Sequence, residues 1–130
     1  MPTFGNLTLG TKVFKPAGRD TASNTSSYEE RSGGVPIGYE SLRVRQSKNA
    51  QTRRTRSVMT TPVLQGAAAP SSDGFLPAPR IGHTNGFTID IVASASSTEA
   101  ERQANLDALK LYVESEFFAA LVVGQEEITG

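Results

Sequence analysis

The stretch LRVRQSKNAQTRRTRSVM, residues 42–59, holds six of the thirteen Lys and Arg residues of this 130-residue chain and no acidic residue. Its first part alternates, with Leu42 and Val44 in one parity and Arg43 and Arg45 in the other. Because successive side chains of a β-strand point to opposite faces, this alternation predicts a strand with arginines on one side. Residues 48–50 then predict a turn, and a second long strand is expected over 52–64. The stretch therefore predicts a β-hairpin around which the fold is built.

The second strand has arginines that can join those of the first. Arg54 and Arg56 share one face of that strand, and antiparallel neighbours joined by a short turn can set them beside Arg43 and Arg45. We call the surface defined by Arg43, Arg45, Arg54 and Arg56 the arginine face. A cluster of arginines is often only a solvated surface. Six basic residues without an acid on two adjacent strands nevertheless favour contact with a polyanion.

Charge is unevenly distributed along a chain whose formal net charge is zero. No Asp or Glu occurs between Glu40 and Asp73, and the six basic residues there give a formal charge of +6. From Glu99 to the end, seven acidic residues face two basic ones, a net charge of −5. This asymmetry suggests one surface that meets a polyanion and another that stays in solvent.

The rest of the chain before residue 95 also predicts antiparallel sheet, because short alternating stretches are separated by Gly, Pro, Ser and Asn. The predicted parts are an N-terminal hairpin within residues 1–16 turning near Gly10, sheet strands within 28–64 including 28–31 and 37–47, and a last strand over 82–94. Residues 65–81 are rich in Ala, Pro, Ser and Gly and predict a long loop between strands.

The last third changes to a helical period. Thr98 followed by Glu101 is a capping-box signature, and helix is predicted within residues 98–127 with a break at Ser115 and Glu116. Apolar residues lie on two sides of this segment, which is more than one small sheet can cover. A fully buried core helix is one reading, but we favour dimerisation through the helices. The predicted dimer contacts are Leu106, Leu109, Val113, Phe117, Phe118 and Leu121. Together these elements predict a single α+β domain.

Composition narrows the possible functions. The chain has no cysteine, so a disulfide framework, a thiolate nucleophile and a Cys-based zinc site are excluded. No apolar run reaches the roughly 20 residues that span a bilayer, and the N-terminus lacks the pattern of a secretory signal, so we expect a soluble protein with no membrane partner. No nucleophile with a base partner, paired carboxylate motif or metal cluster is visible. We therefore predict no catalytic residue, metal or cofactor, and an enzyme is the least favoured class.

Two segments resemble a known family. VRQS (44–47), the basic turn after it and a strand reaching Thr61 and Pro62 resemble the central hairpin of single-stranded RNA bacteriophage (levivirus) coat proteins. FTIDIVAS (87–94) followed by STEAER (97–102) is similar to the last strand and the helix start of the same family. The order of hairpin, sheet, long loop, strand and two helices also matches, so the resemblance spans essentially the whole chain.

The resemblance implies a structural protein with the levivirus coat protein fold, an antiparallel sheet followed by two C-terminal helices in an intertwined homodimer. Dimers of this family assemble into an icosahedral shell around single-stranded genomic RNA, with the basic sheet face inward. The implied location is the virion, and the host bacterial cytoplasm during assembly. A coat dimer of this family also binds an RNA hairpin as a translational repressor.

The resemblance further implies which residues contact RNA and neighbouring dimers. The predicted RNA contacts are Ser41, Arg43, Arg45, Lys48, Arg53, Arg54, Arg56, Val58, Thr60 and Thr84. The predicted inter-dimer loop contacts are Gly66, Pro70, Phe75, Pro77 and Pro79. Family members with a well-defined hairpin operator stack a base on a Tyr near the start of the last strand, where this sequence has Gly82. The resemblance therefore implies general RNA packaging without implying that stacking contact.

A free RNA-binding regulator that uses the sheet as a platform is the alternative. It predicts the same arginine face on a species that never forms a shell. Platforms of that kind stack bases on aromatic side chains, and residues 43–60 contain none. The coat-protein interpretation is therefore preferred.

Overall fold

The computed structural model describes residues 4–32, 36–64 and 80–129. These residues form a six-stranded antiparallel sheet whose strands follow chain order, and then two helices. The elements are β1 (Leu7–Leu9), β2 (Lys12–Asp20), β3 (Thr25–Glu30), a 3₁₀ turn (Pro36–Gly38), β4 (Glu40–Lys48), β5 (Thr52–Leu64), β6 (Ile81–Ser94), α1 (Glu99–Glu114) and α2 (Glu116–Val122). The predicted α+β class is confirmed. The chain divides into two compact units, Met1–Val92 and Ala93–Gly130.

The β4–β5 hairpin forms where the sequence predicts it. The register runs from Ser41 opposite Thr60 to Lys48 opposite Arg53. Asn49 closes the turn, because its side-chain oxygen accepts hydrogen bonds from the backbone amides of Gln51 at 2.8 Å and Thr52 at 2.7 Å. Asparagine favours such turns because its side chain substitutes for a backbone acceptor. Local chemistry at the turn thus fixes the register of β4 and β5.

Three strand boundaries differ from the predicted ones. β4 begins at Glu40 instead of residue 37, because Pro36–Gly38 forms a 3₁₀ turn in which the Tyr39 amide donates to the Pro36 carbonyl at 3.2 Å. β2 continues to Asp20, so the N-terminal hairpin does not end at residue 16. β3 covers Thr25–Glu30 instead of 28–31. Its sequence TSSYEE has little hydropathy alternation, which is the signal that a strand prediction depends on.

β6 lies beside β5 and begins at Ile81, the last residue of the predicted loop. A side-chain methyl group at Gly86 would overlap the carbonyl oxygen of Met59, so glycine is required for the two backbones to approach at this point. The predicted inter-dimer contacts in the loop lie outside the described residues. They are Gly66, Pro70, Phe75, Pro77 and Pro79.

The apolar side of the sheet is the face opposite the arginines. Phe14 of β2 and Leu42 of β4 are the buried hydrophobic residues among those described, with 1% and 8% of their surface exposed. Tyr28 of β3 lies opposite Leu42 in the register, and its ring meets that of Phe4 edge-on at 5.7 Å between centroids. The sheet therefore separates a small apolar cluster from a polar, arginine-bearing surface.

The helical unit begins with the predicted capping box. The Thr98 hydroxyl accepts from the Glu101 amide at 3.2 Å, and the Glu101 carboxylate accepts from the Thr98 amide at 3.0 Å. The predicted break falls at Ser115, whose hydroxyl donates to the Tyr112 carbonyl at 2.6 Å and accepts from the Phe118 amide at 3.2 Å. One serine thus ends α1 and begins α2, as expected of a good N-cap residue.

Candidate nucleic-acid interface

The register of β4 and β5 brings the four arginines of the arginine face together. Arg45 lies directly opposite Arg56, Arg54 lies opposite Ser47, and Arg43 lies opposite Val58. Directly opposed residues of an antiparallel pair share a face. All four guanidinium groups therefore belong to one surface, as the alternation in the sequence predicts.

Other predicted contact residues extend the arginine face toward its two ends. Ser41 and Thr60 are directly opposed and have the same parity as the arginines. Thr84 of β6 lines a shallow depression with Val58 and Thr60. These polar and small side chains leave the surface open between the arginines and β6.

Lys48 and Arg53 are the two predicted contacts that the register does not bring to this surface. They lie directly opposite each other and have the parity of Leu42, whose side chain belongs to the apolar cluster. Consecutive arginines at 53 and 54 must point to opposite faces of β5. Lys48 was predicted in the turn, where strand alternation does not apply, but it belongs to β4. Arg53 was predicted within the second strand, where alternation alone already sets it apart from Arg54.

A groove crosses the arginine face toward β3. It has a volume of about 650 Å³ and is lined by Arg43, Arg45 and Arg56, together with Thr25 and Ser27 of β3. Thr25 lies opposite Arg45 and Ser27 opposite Arg43. Guanidinium groups match phosphate oxygens in paired hydrogen bonds, and hydroxyls can donate to or accept from bases and ribose. Our sequence analysis missed both hydroxyl residues, although their spacing of two is the signal that would have found them.

The acidic groups near this surface have partners. Asp20 lines the groove, and the pKa of its carboxyl is lowered because the Ser23 hydroxyl and nearby backbone amides donate hydrogen bonds to it. Asp90 of β6 lies 3.1 Å from the Nε of Arg54, measured to its Oδ1. In the described part of the chain, no carboxylate lies within 4.0 Å of the charged groups of Arg43, Arg45 or Arg56. Three of the four arginines are therefore available to an outside anion.

The predicted dimer contacts line the helical unit, and none of them is buried. Leu106, Val113 and Phe117 are exposed, and the remaining three, Leu109, Phe118 and Leu121, are half-buried. Phe118 packs against Tyr112 with ring centroids 5.0 Å apart. Leu111, on another side of α1, has 70% of its surface exposed. The helices thus present apolar surface that this unit does not cover by itself.

The described residues contain neither a metal-binding cluster nor a membrane-spanning helix. No group of three or more His, Cys, Asp or Glu side chains capable of holding a metal ion occurs among them. None of the helices in residues 80–129 is long and apolar enough to cross a membrane.

Solved structures share this fold at low sequence identity. The virus-like particle of bacteriophage ESE058 is 18% identical with a TM-score of 0.83, covering 98% of this chain and 100% of that one. The virus-like particle of Beihai levi-like virus 21 is 18% identical with a TM-score of 0.80, covering 99% and 100%. The bacteriophage GA capsid protein is 12% identical with a TM-score of 0.74 and 98% coverage of both chains. No curated protein sequence gives a significant match.

A family model provides the evidence that extends beyond fold. The model described as levivirus coat protein matches residues 5–128, which is nearly the whole chain. The match includes the arginine-bearing hairpin, the last strand and both helices. Members of this family are structural proteins of the phage particle. The chain belongs to the levivirus coat protein family.

Proposed function

We propose that this coat protein dimerises, assembles into an icosahedral shell in the host bacterial cytoplasm and encloses single-stranded genomic RNA against its arginine face. The arginine face is the observation that carries the proposal. Four arginines share one sheet surface, and three of them have no carboxylate partner among the described residues. A surface that neutralises phosphates releases the counterions of RNA, which supplies affinity without requiring a sequence.

The uneven charge of the chain supports an orientation in which the arginine face points inward to the RNA and the acidic helical segment points outward. The hairpin that carries the arginine face is strongly basic, whereas residues 99–130 have a net charge of −5. An acidic exterior keeps a particle soluble, and a basic interior offsets the charge of the packaged RNA.

Binding of an RNA hairpin as a translational repressor is part of the proposal. Phosphate contacts position RNA but carry no sequence information, so a hairpin would have to be read through its unpaired bases. The groove of about 650 Å³ beside Thr25 and Ser27 has room and hydrogen-bonding groups for such a base. Gly82 provides no stacking ring, so recognition would depend on this groove.

A free regulatory protein is the weaker candidate. β4 and β5 contribute no aromatic side chain to the arginine face, and stacked aromatics are what sheet platforms use to bind single strands. Membership of the coat protein family also favours a protein that assembles.

The first test is expression of the chain alone in bacteria. Size exclusion, electron microscopy and the ratio of nucleic-acid to protein absorbance would be recorded on the lysate fractions. We expect uniform round particles that contain RNA protected from nuclease. A small dimer that binds RNA but never closes would favour the regulator, and a species with neither property would refute both.

A pair of double variants then tests the arginine face. Arg45→Glu with Arg56→Glu changes one opposed pair on that face, and Lys48→Glu with Arg53→Glu changes the neighbouring opposed pair on the other face by the same charge. We expect the first variant to lose most of its packaged RNA while still forming dimers. The second should retain most of it. Equal RNA content in the two variants would refute the arginine face as the RNA surface.

A further inference from the structure

Arg54 differs from the other arginines of the arginine face. The Oδ1 of Asp90 lies 3.1 Å from its Nε, and both side chains remain accessible, with 55% of Arg54 and 37% of Asp90 exposed. Asp90 belongs to β6, so the ion pair joins neighbouring strands on one face of the sheet. In the part of the chain that the structure describes, this is the only ion pair made by an arginine of that face. The basic surface therefore contains its own negative charge.

Asp90 lies where it would repel a phosphate that approaches Arg54. A guanidinium group has five N–H donors, and the Asp90 carboxylate pairs with the cation at its Nε end, which leaves the donors on the two terminal nitrogens open to a phosphate. A phosphate bound at the terminal nitrogens would lie only a few ångströms from the carboxylate. That separation is within the Debye length of about 8 Å at physiological salt, so salt would screen the repulsion only in part. Phosphate and the Asp90 carboxylate would therefore compete for the same cation.

We propose that Asp90 is an intramolecular competitor of RNA phosphate for Arg54, an inference that rests on the proposed RNA-binding role of the arginine face. By reducing the phosphate affinity of one arginine, Asp90 lowers the sequence-independent part of RNA binding. Contacts to unpaired bases then make up a larger share of the total affinity. Asp90 is on this view a residue that adjusts selectivity and that makes no contact with RNA itself.

A double-mutant cycle tests this competition. Asp90→Asn removes the charge but keeps a side chain of nearly the same size and shape. It would be made alone and with Arg54→Gln, and Glu29→Gln would serve as the control, because Glu29 is an acid of the same face whose partner is Arg31, at 3.3 Å. The probe is a short fluorescent oligouridylate. Its affinity for unassembled protein would be measured by anisotropy over a range of salt concentrations, with circular dichroism to check folding.

Competition predicts a specific pattern in the cycle. Asp90→Asn should tighten oligouridylate binding at low salt and steepen the plot of log affinity against log salt by about 0.7, the value for one single-strand phosphate contact. Its effect should exceed that of Glu29→Gln, and in the Arg54→Gln background it should fall to the level of that control.

Two results would overturn the inference while leaving the arginine face intact. One is an Asp90→Asn variant that binds no more tightly than Glu29→Gln, and the other is an equal effect of Asp90→Asn with and without Arg54. If Arg45→Glu with Arg56→Glu also leaves oligouridylate affinity unchanged, the RNA-binding role itself fails and the inference is overturned with it. The two failures are thus distinguished within one set of proteins.

Discussion

Asn24 holds a left-handed backbone conformation, with φ of 51°, in the turn between β2 and β3. Its carbonyl oxygen accepts from the Gln46 amide at 3.2 Å, which ties this turn to β4, and its side-chain oxygen accepts from Arg19 at 3.3 Å. Asparagine and glycine are the residues that adopt this conformation most readily. We expect Asn24→Ala to lower the free energy of unfolding by about 1 kcal/mol, measured by denaturant titration at fixed protein concentration.

Asn24→Gly is the matched control for this prediction. Both variants lose the hydrogen bond from Arg19, so the difference between them isolates the backbone conformation. Glycine adopts positive φ without a steric penalty, although it gains entropy in the unfolded chain. The glycine variant should therefore be more stable than the alanine variant. Equal stability of the two would show that the left-handed conformation carries no measurable cost.

The pairing of arginines across β4 and β5 shows where residue-level prediction of the site ends. Alternation along β4 was enough to group Arg43 with Arg45, because each strand has its own internal parity. Grouping one strand with another needs the register, and a shift of one residue moves every side chain to the other face. Here the register is set by the Asn49 turn, whose hydrogen bonds the sequence does not display.

The elements with strong local signals are the ones that the sequence predicted well. β5, the α1 capping box and the break at Ser115 each depend on a turn, a cap or a long alternating run. β3 depends instead on pairing with both of its neighbours, because its own polar sequence has little preference for a sheet. Such pairing with neighbouring strands overrides weak local patterns, and it cannot be inferred from the sequence of one segment alone.

The N-cap residue Thr98 allows a prediction about the stability contributed by the start of α1. Thr98→Ala would leave the Glu101 amide without the hydroxyl that now accepts from it at 3.2 Å. Loss of an N-cap side chain costs about 1 kcal/mol, so we expect the free energy of unfolding to fall by that amount. Thr98→Ser keeps the acceptor and should remain close to the wild type. If serine and alanine prove equally destabilising, the capping box does not account for the stability of this helix start.

The described part of the chain leaves much of its apolar surface uncovered. Phe14 and Leu42 are the buried hydrophobic residues of the described chain, whereas Leu111, Phe117 and Val122 of the helical unit each have more than half of their surface exposed. Soluble monomers rarely expose large contiguous apolar patches, so we expect a partner to cover this surface. A second copy of the chain is the partner that we propose, because it offers the same uncovered helices. Folding and dimerisation would then be coupled, and stability would depend on protein concentration.

Leu109→Asp tests the proposed dimer directly. Leu109 is one of the predicted dimer contacts, which form an apolar stripe on the helices, and it is already half-buried. A carboxylate there would therefore be desolvated without a partner when the dimer forms. A buried unpaired charge costs several kcal/mol, and each 1.4 kcal/mol is tenfold in the dissociation constant, so we expect dimerisation to weaken at least about 100-fold. Analytical ultracentrifugation over a range of concentrations would measure this, with Leu109→Met as the control that keeps an apolar side chain of similar volume. The methionine variant should dimerise and assemble normally. An aspartate variant that still forms dimers and closed particles would show that this stripe lies outside the interface, and the exposed side of α1 that carries Leu111 would then be the next surface to test.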